Sequence, residues 1–139
     1  MIKGLVPKAV AIGVLVDFCG SILVGLVLGV TAAIIAGASG DSSPQHVQGL
    51  VANSYLKLVG LVGTTFFTGF GAYLAAKRSR PNGLTNALSV GVISLALGIT
   101  LAILKPGITP MWKLVAGLVL TLPAAYAGGR FSEKGHEAA

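Results

Sequence analysis

Polar residues along this chain come in short clusters that separate four long apolar runs, at roughly 9–37, 54–76, 82–104 and 110–129. A hydrocarbon layer of about 30 Å needs about 20 apolar residues in a helix rising about 1.5 Å per residue. Each run is long enough. The pattern predicts an all-α integral membrane protein, a four-transmembrane-helix bundle forming a single membrane domain over residues 1–139. Pro81 and Pro110 stand at or beside the third and fourth starts, where a missing N–H costs little. "ASGDSSPQHVQG" (38–49) is turn-rich and reads as an outer loop, and "RFSEKGHEAA" (130–139) as a short cytoplasmic tail. The first run is far longer than the 7–15 apolar residues of a signal peptide and contains Asp17, so an uncleaved first span is expected.

Composition narrows the surroundings. The chain is 54% hydrophobic and 10% charged, against about 25% charged for a soluble domain. Water cannot solvate such a surface, and the lipid bilayer is the expected partner. The net charge of +6 sits in clusters beside the apolar runs, with no basic face interleaved with aromatics, so no nucleic-acid partner is expected. If the spans alternate, Lys3, Lys8, Lys77, Arg78, Arg80, Arg130 and Lys134 share one side. Lys105 and Lys113 take the other, with Lys57 near its boundary. This bias puts both termini in the cytoplasm of a bacterial-type inner membrane. Tyr73, Tyr126 and Phe131 then mark the inner interface, Tyr55 and Trp112 the outer. Lys77, Arg78 and Arg80 read as a topology signal, with binding of anionic lipid head groups as the alternative.

Small residues recur at every fourth position. The first span carries Ala9, Gly13, Asp17, Ser21, Gly25, Gly29, Ala33 and Gly37. The second carries Gly60, Thr64, Thr68, Ala72 and Ala76, and the fourth Gly117, Thr121, Ala125 and Gly129. The third is less regular, with Ala87, Gly91, Ser94, Gly98 and Ala102. Lipid gives no hydrophobic drive between helices, so close backbone contact and interhelical hydrogen bonds must hold a bundle together. Helix packing is therefore assigned to Gly13, Ser21, Gly25, Gly29, Gly60, Thr64, Gly117 and Gly129, within one chain or between copies. Pro123, inside the fourth span, removes a backbone hydrogen bond and predicts a kink.

An internal repeat is also visible. "LVLGVTAAII" (26–35) matches "LALGITLAIL" (95–104) at six of ten positions, and "YLKLV" (55–59) resembles "MWKLV" (111–115). The repeat implies two tandem parallel helical hairpins related by an axis along the membrane normal, with Asp17 and Asn86 at equivalent depths.

Asp17 is the one acid within the apolar runs. An aspartate at the centre of a membrane helix costs about 2.5–3.5 kcal/mol, less near an interface. Counted about 20 residues inward from Ile35, Asp17 lies just beneath the head groups. If the span starts at Ala9, it lies about 12 Å deep, level with Thr65, Thr68, Ser94 and Thr121 as hydrogen-bond partners. Three roles stay open: structural glue bonded to hydroxyls, a titrating proton or cation site lined by Asn86, Thr68 and Thr121, or a partner for a basic residue of another subunit. No metal site or cofactor is expected. The histidines, His46 and His136, fall in the loop and the tail, and no Cys/His cluster has ligand spacing. The single cysteine, Cys19, reads as a small buried hydrophobe.

Four spans with one acid in the first resemble, in architecture, the small multidrug-resistance transporters, which implies cation binding at Asp17. The strong charge bias departs from the dual insertion that family uses. "LVDFCGSILVG" (15–25) and "GTTFFTGF" (63–70) resemble two segments of fluoride channels, V-N-x-x-G-S-x-x-x-G and T-T-F-S-T-F. That resemblance covers about a seventh of the chain. Asp17 stands where the channels have asparagine and the span that should precede is missing, so no channel residue is carried over.

The expected function is that of a non-enzymatic small polytopic membrane protein, a homo-oligomeric bundle or an accessory subunit of a membrane complex. The alternative is a small ion- or proton-coupled transporter or channel using Asp17.

Overall fold

The computed structural model describes residues 4–79, 82–104 and 111–137. Arg80, Pro81, Lys105 and Pro110, which carry topology and helix-start expectations, lie outside these residues. The chain is helical: α1 (Pro7–Ala38), α2 (Pro44–Val51), α3 (Ser54–Arg78), α4 (Gly83–Leu104) and α5 (Met111–Glu137), with no strand among the described residues. Four of these helices, all but α2, are long and apolar enough to cross a membrane.

Local chemistry accounts for the ends. Pro7 starts α1, its fixed φ suiting the first turn. The helix closes on Gly40, whose φ of +80° is the left-handed conformation glycine adopts most cheaply. Its N–H then reaches the Gly37 carbonyl at 3.2 Å. Asn53 caps α3 by accepting from the Tyr55 N–H at 3.0 Å. At the other end Lys77 and Arg78 oppose the helix dipole.

Two boundaries depart from expectation. Residues 38–49, expected as one loop, contain the start of α2. Ser43 accepts from the His46 N–H at 3.3 Å and Pro44 occupies the first helical position, a start signal that the polar composition concealed. Residues 130–137, expected as a separate tail, continue α5, with no proline between Gly129 and Glu137 to stop it. The helix also runs on through Pro123.

The four long helices form a bundle in which α3 and α4 both touch α1 and α5. Among the described residues α1 and α5 make no contact with each other. The core consists of Val10, Ala72, Ala75, Ala76, Ala87, Val90 and Ala125, with Leu5 and Val14 against it. All of these lie toward the end where α1 begins, α3 finishes, α4 begins and α5 finishes, here the near end. Alanine side chains let the axes approach, and glycines bring them closer. The Cβ missing from Gly13 would meet the Gly71 carbonyl oxygen at 2.7 Å and Val90 at 2.6 Å. One missing from Gly128 would collide with the Gly69 carbonyl, and one on Gly129 would sit 2.9 Å from Ala87.

The opposite, far end is packed differently. The buried residues of α4 stop at Gly91, and those of α5 begin at Ala125. There α1 and α3 stay close: a Cβ on Gly60 would stand 3.0 Å from Leu28, and one on Gly63 3.0 Å from Val24. Gly25, Gly29, Gly98 and Gly117 have nothing within 4 Å of where a Cβ would stand. The rows of α1, α4 and α5 thus run from a tight half into an open one, while the α3 row stays buried as far as Gly60.

Candidate functional site

Asp17 stands where α1, α3 and α4 converge. It is 7% exposed. Its position follows from the crossing one turn earlier, where Gly13 and Gly71 meet backbone to backbone and leave no room for α1 to move off. One turn later the Phe67 ring lies against Gly20 and closes that side. Between the two contacts the carboxylate faces hydroxyls. Thr68 donates to Asp17 Oδ1 at 2.8 Å, and Ser94 donates to Oδ2. Thr68 also lies 3.1 Å from the Thr64 carbonyl of its own helix, so its hydroxyl has a local alternative acceptor.

A carboxylate is acceptor-only when ionised, and here each oxygen has its own donor from a different helix. No basic side chain lies within salt-bridge distance of it among the described residues. The arrangement clamps α3 and α4 onto α1. Membrane hydrogen bonds of this kind are worth about 0.6 kcal/mol each and at most about 1.7, so the clamp fixes register more than it adds stability.

The other residues assigned to this site by sequence are elsewhere. Asn86 is fully buried (0% exposed), but serves the near end. Its Oδ1 accepts from the Val6 N–H at 2.8 Å, and its Nδ2 donates to the Gly4 and Asn82 carbonyls at 3.1 and 2.8 Å. Asp17 is level with Ser94, eight residues and about 12 Å along α4 from Asn86. The two are therefore not at equivalent depths: α1 and α4 pack with Gly13 opposite Val90, a register different from the one the repeat implies. Thr121 donates to the Gly117 carbonyl of its own helix at 2.6 Å. Thr64 likewise bonds the Gly60 and Leu61 carbonyls, both at 3.0 Å.

Of the assigned packing residues, Gly13, Gly60 and Gly129 make close contacts, while Gly25, Gly29 and Gly117 face open space. Ser21 is half-buried. The geometry of a helix explains the change along α1. Residues four apart advance about 40° around the axis at each step, so a strict row leaves the contact face within a few turns. From Asp17 the face passes instead to Gly20, Val24 and Leu28. Sequence spacing also overlooked Gly20, Gly69, Gly71 and Gly128 as contact points, while Gly91, a member of the third span's row, does meet Ala125. In "FTGFGA" the glycines at 69 and 71 were the available signal, and they serve two different neighbours, α5 and α1. Cys19 is exposed on the outward side of α1, not buried, because the same face leaves it a quarter-turn or more from Asp17 and Gly20.

Outside the spans, His46 Nδ1 lies 3.8 Å from Asp41 Oδ2, and Ser39 Oγ lies 3.4 Å from His46 Nε2. Asp41 accepts from the Ser43 N–H at 3.0 Å. That bond first, then the Ser43 hydroxyl and the nearby His46, hold the Asp41 carboxyl below the ordinary aspartate value. Among the described residues no group of three His, Cys, Asp or Glu could hold a metal ion.

Comparison with protein families, with curated proteins and with solved structures finds no match.

Proposed function

We propose that this chain is a non-enzymatic multi-pass protein of a bacterial-type inner membrane whose role is assembly. It is a homo-oligomer or an accessory subunit, with both termini in the cytoplasm and the near end of the bundle facing inward. Four helices of spanning length and the clustering of Lys8, Lys77, Arg78 and Arg130 at the near end support the placement. The observation that carries the assembly reading is the division of the glycines. Those of the near half contact backbone or side chains of neighbouring helices. Gly25, Gly29, Gly98 and Gly117 in the far half contact nothing. Between membrane helices small residues act as contact surfaces, and a partner helix is the natural complement for these four.

The test is the mass of the solubilised protein, corrected for detergent, for wild type and the Gly25→Leu/Gly29→Leu double variant. Wild type is expected as a multiple of the 14.0 kDa chain or with a second protein attached, and the variant as a single chain of unchanged helicity. Lone wild-type chains that behave like the variant defeat the reading.

A second reading, a small proton- or ion-coupled transporter using Asp17, is favoured by one observation. The carboxylate sits at the boundary where the tight half gives way to the open one. It requires flux into liposomes that Asp17→Asn abolishes.

A further inference from the structure

A groove of about 470 Å³ runs along the outer surface between α3 and α5. Its floor is the close approach of Gly69 and Gly128, widened by Ala124 and Ala127. Phe66, Phe70 and Tyr73 wall one side and Phe131 the other. The three rings on α3 form a ladder, Phe66 stacked on Phe70 at 6.3 Å and Phe70 on Tyr73 at 6.4 Å between centroids. Phe66 and Phe131 stay 66% and 70% exposed, so the slot opens sideways.

Its length and its end identify what fits. From Val62 to Tyr73 the groove covers about 16 Å of helix, close to half of a hydrocarbon core of about 30 Å. One leaflet's acyl chain has that reach. One turn beyond, the Lys77 ammonium lies over the Tyr73 ring, 5.8 Å from its centroid. Arg130 is already held by the Tyr126 hydroxyl at 3.1 Å and by Glu133 at 3.5 Å. Lys77 has no carboxylate partner among the described residues, and Arg78 is exposed beside it.

We infer that this groove binds one anionic phospholipid of the cytoplasmic leaflet, an acyl chain lying on the Gly69–Gly128 floor and the headgroup phosphate meeting Lys77. The inference rests on the membrane placement proposed above and goes beyond the assembly reading. Charge selects the occupant. A second copy of this chain, carrying net charge +6, laid here in the same orientation would bring its own basic cluster against Lys77. An anionic lipid supplies the opposite sign, and basic grooves between helices on the cytoplasmic side are suited to such headgroups.

The test is native mass spectrometry of the full chain in detergent, titrated with dioleoyl phosphatidylglycerol or dioleoyl phosphatidylcholine. Wild type is expected to hold one phosphatidylglycerol about fivefold more tightly than phosphatidylcholine, the preference one lysine provides near a membrane surface. Lys77→Gln should remove that preference. Ala127→Leu, which fills the groove from an exposed position, should weaken both lipids. Equal affinity for the two lipids in wild type, or binding indifferent to both substitutions, overturns the inference. So does glycerol phosphate displacing the lipid as well as phosphatidylglycerol does, or Ala127→Leu splitting a dimer while lipid binding is unchanged. Carbonate extraction of cell membranes separates the two proposals: a chain that stays in the pellet yet shows no lipid preference defeats the lipid site alone.

Discussion

Gly13 and Gly71 touch backbone to backbone, and Asp17 sits one turn above that contact with its Cβ 3.5 Å from where a Gly71 side chain would begin. The crossing and the carboxylate are one structural unit. The glycines bring α1 and α3 together, and the carboxylate then reaches Thr68 on α3 and Ser94 on α4.

The two classes of glycine should respond to alanine with opposite sign. At Gly13 or Gly71 a Cβ meets a carbonyl oxygen that cannot yield, and overpacking of this kind costs about 1–3 kcal/mol. In the separated chain Gly29→Ala meets nothing and gains up to about 1 kcal/mol of helix preference. Unfolding in mixed micelles measures both. Equal effects at the two positions would show that the crossing is not tight.

The clamp is testable by a double-mutant cycle. Thr68→Val is expected to cost about 0.6–1.7 kcal/mol in wild type and almost nothing when Asp17 is already leucine. Ser94→Ala should behave in the same way. Additive costs would mean that the hydroxyls stabilise their own helices and not the carboxylate.

Asn86 latches the segment before α1. Asn86→Leu removes the acceptor of the Val6 N–H and the donor to Gly4, and stranding such groups costs about 1–3 kcal/mol. Hydrogen exchange at Val6 should accelerate tenfold or more, while amides near Asp17 keep their protection. Loss of protection throughout would make Asn86 a core residue and not a latch.

The Asp41 turn should be pH-dependent in one direction. Its carboxyl is held below the ordinary aspartate value chiefly by the Ser43 N–H. The turn is therefore stabilised above the unfolded value, and this is lost as pH falls below about 4 through the folded one. The Ser43 amide resonance followed from pH 7 to pH 2 should shift there. In Asp41→Asn that titration should vanish.

Much of the fold was legible in residue order because hydropathy runs of spanning length leave little choice. Thr68 and Ser94 were legible as partners of Asp17 because helices of known rise put hydroxyls at its depth. What stayed hidden depends on rotation about the helix axes. Gly25 and Gly13 look identical in a spacing of four, yet the 40° drift per step turns one outward. Asn86 looked equivalent to Asp17 because apolar segments align in several registers. The pairing of Gly13 with Val90 chose another. The helix at Pro44 was signalled by Ser43 and Pro44, but in so short an element these two are outweighed by the polar, turn-forming residues around them.

The most direct test of assembly through the open half is cysteine crosslinking in native membranes, in a Cys19→Ser background. Gly25→Cys, which meets no side chain of its own chain, is predicted to give a disulfide-linked dimer under mild oxidation. Where the partner is another protein without a cysteine at that level, the prediction is a monomeric chain that co-purifies with it. Gly13→Ala added to the same chain is predicted to diminish either. Gly25→Cys that stays monomeric under oxidation and purifies with no second protein would place lipid, and no partner helix, against this face and contradict the account.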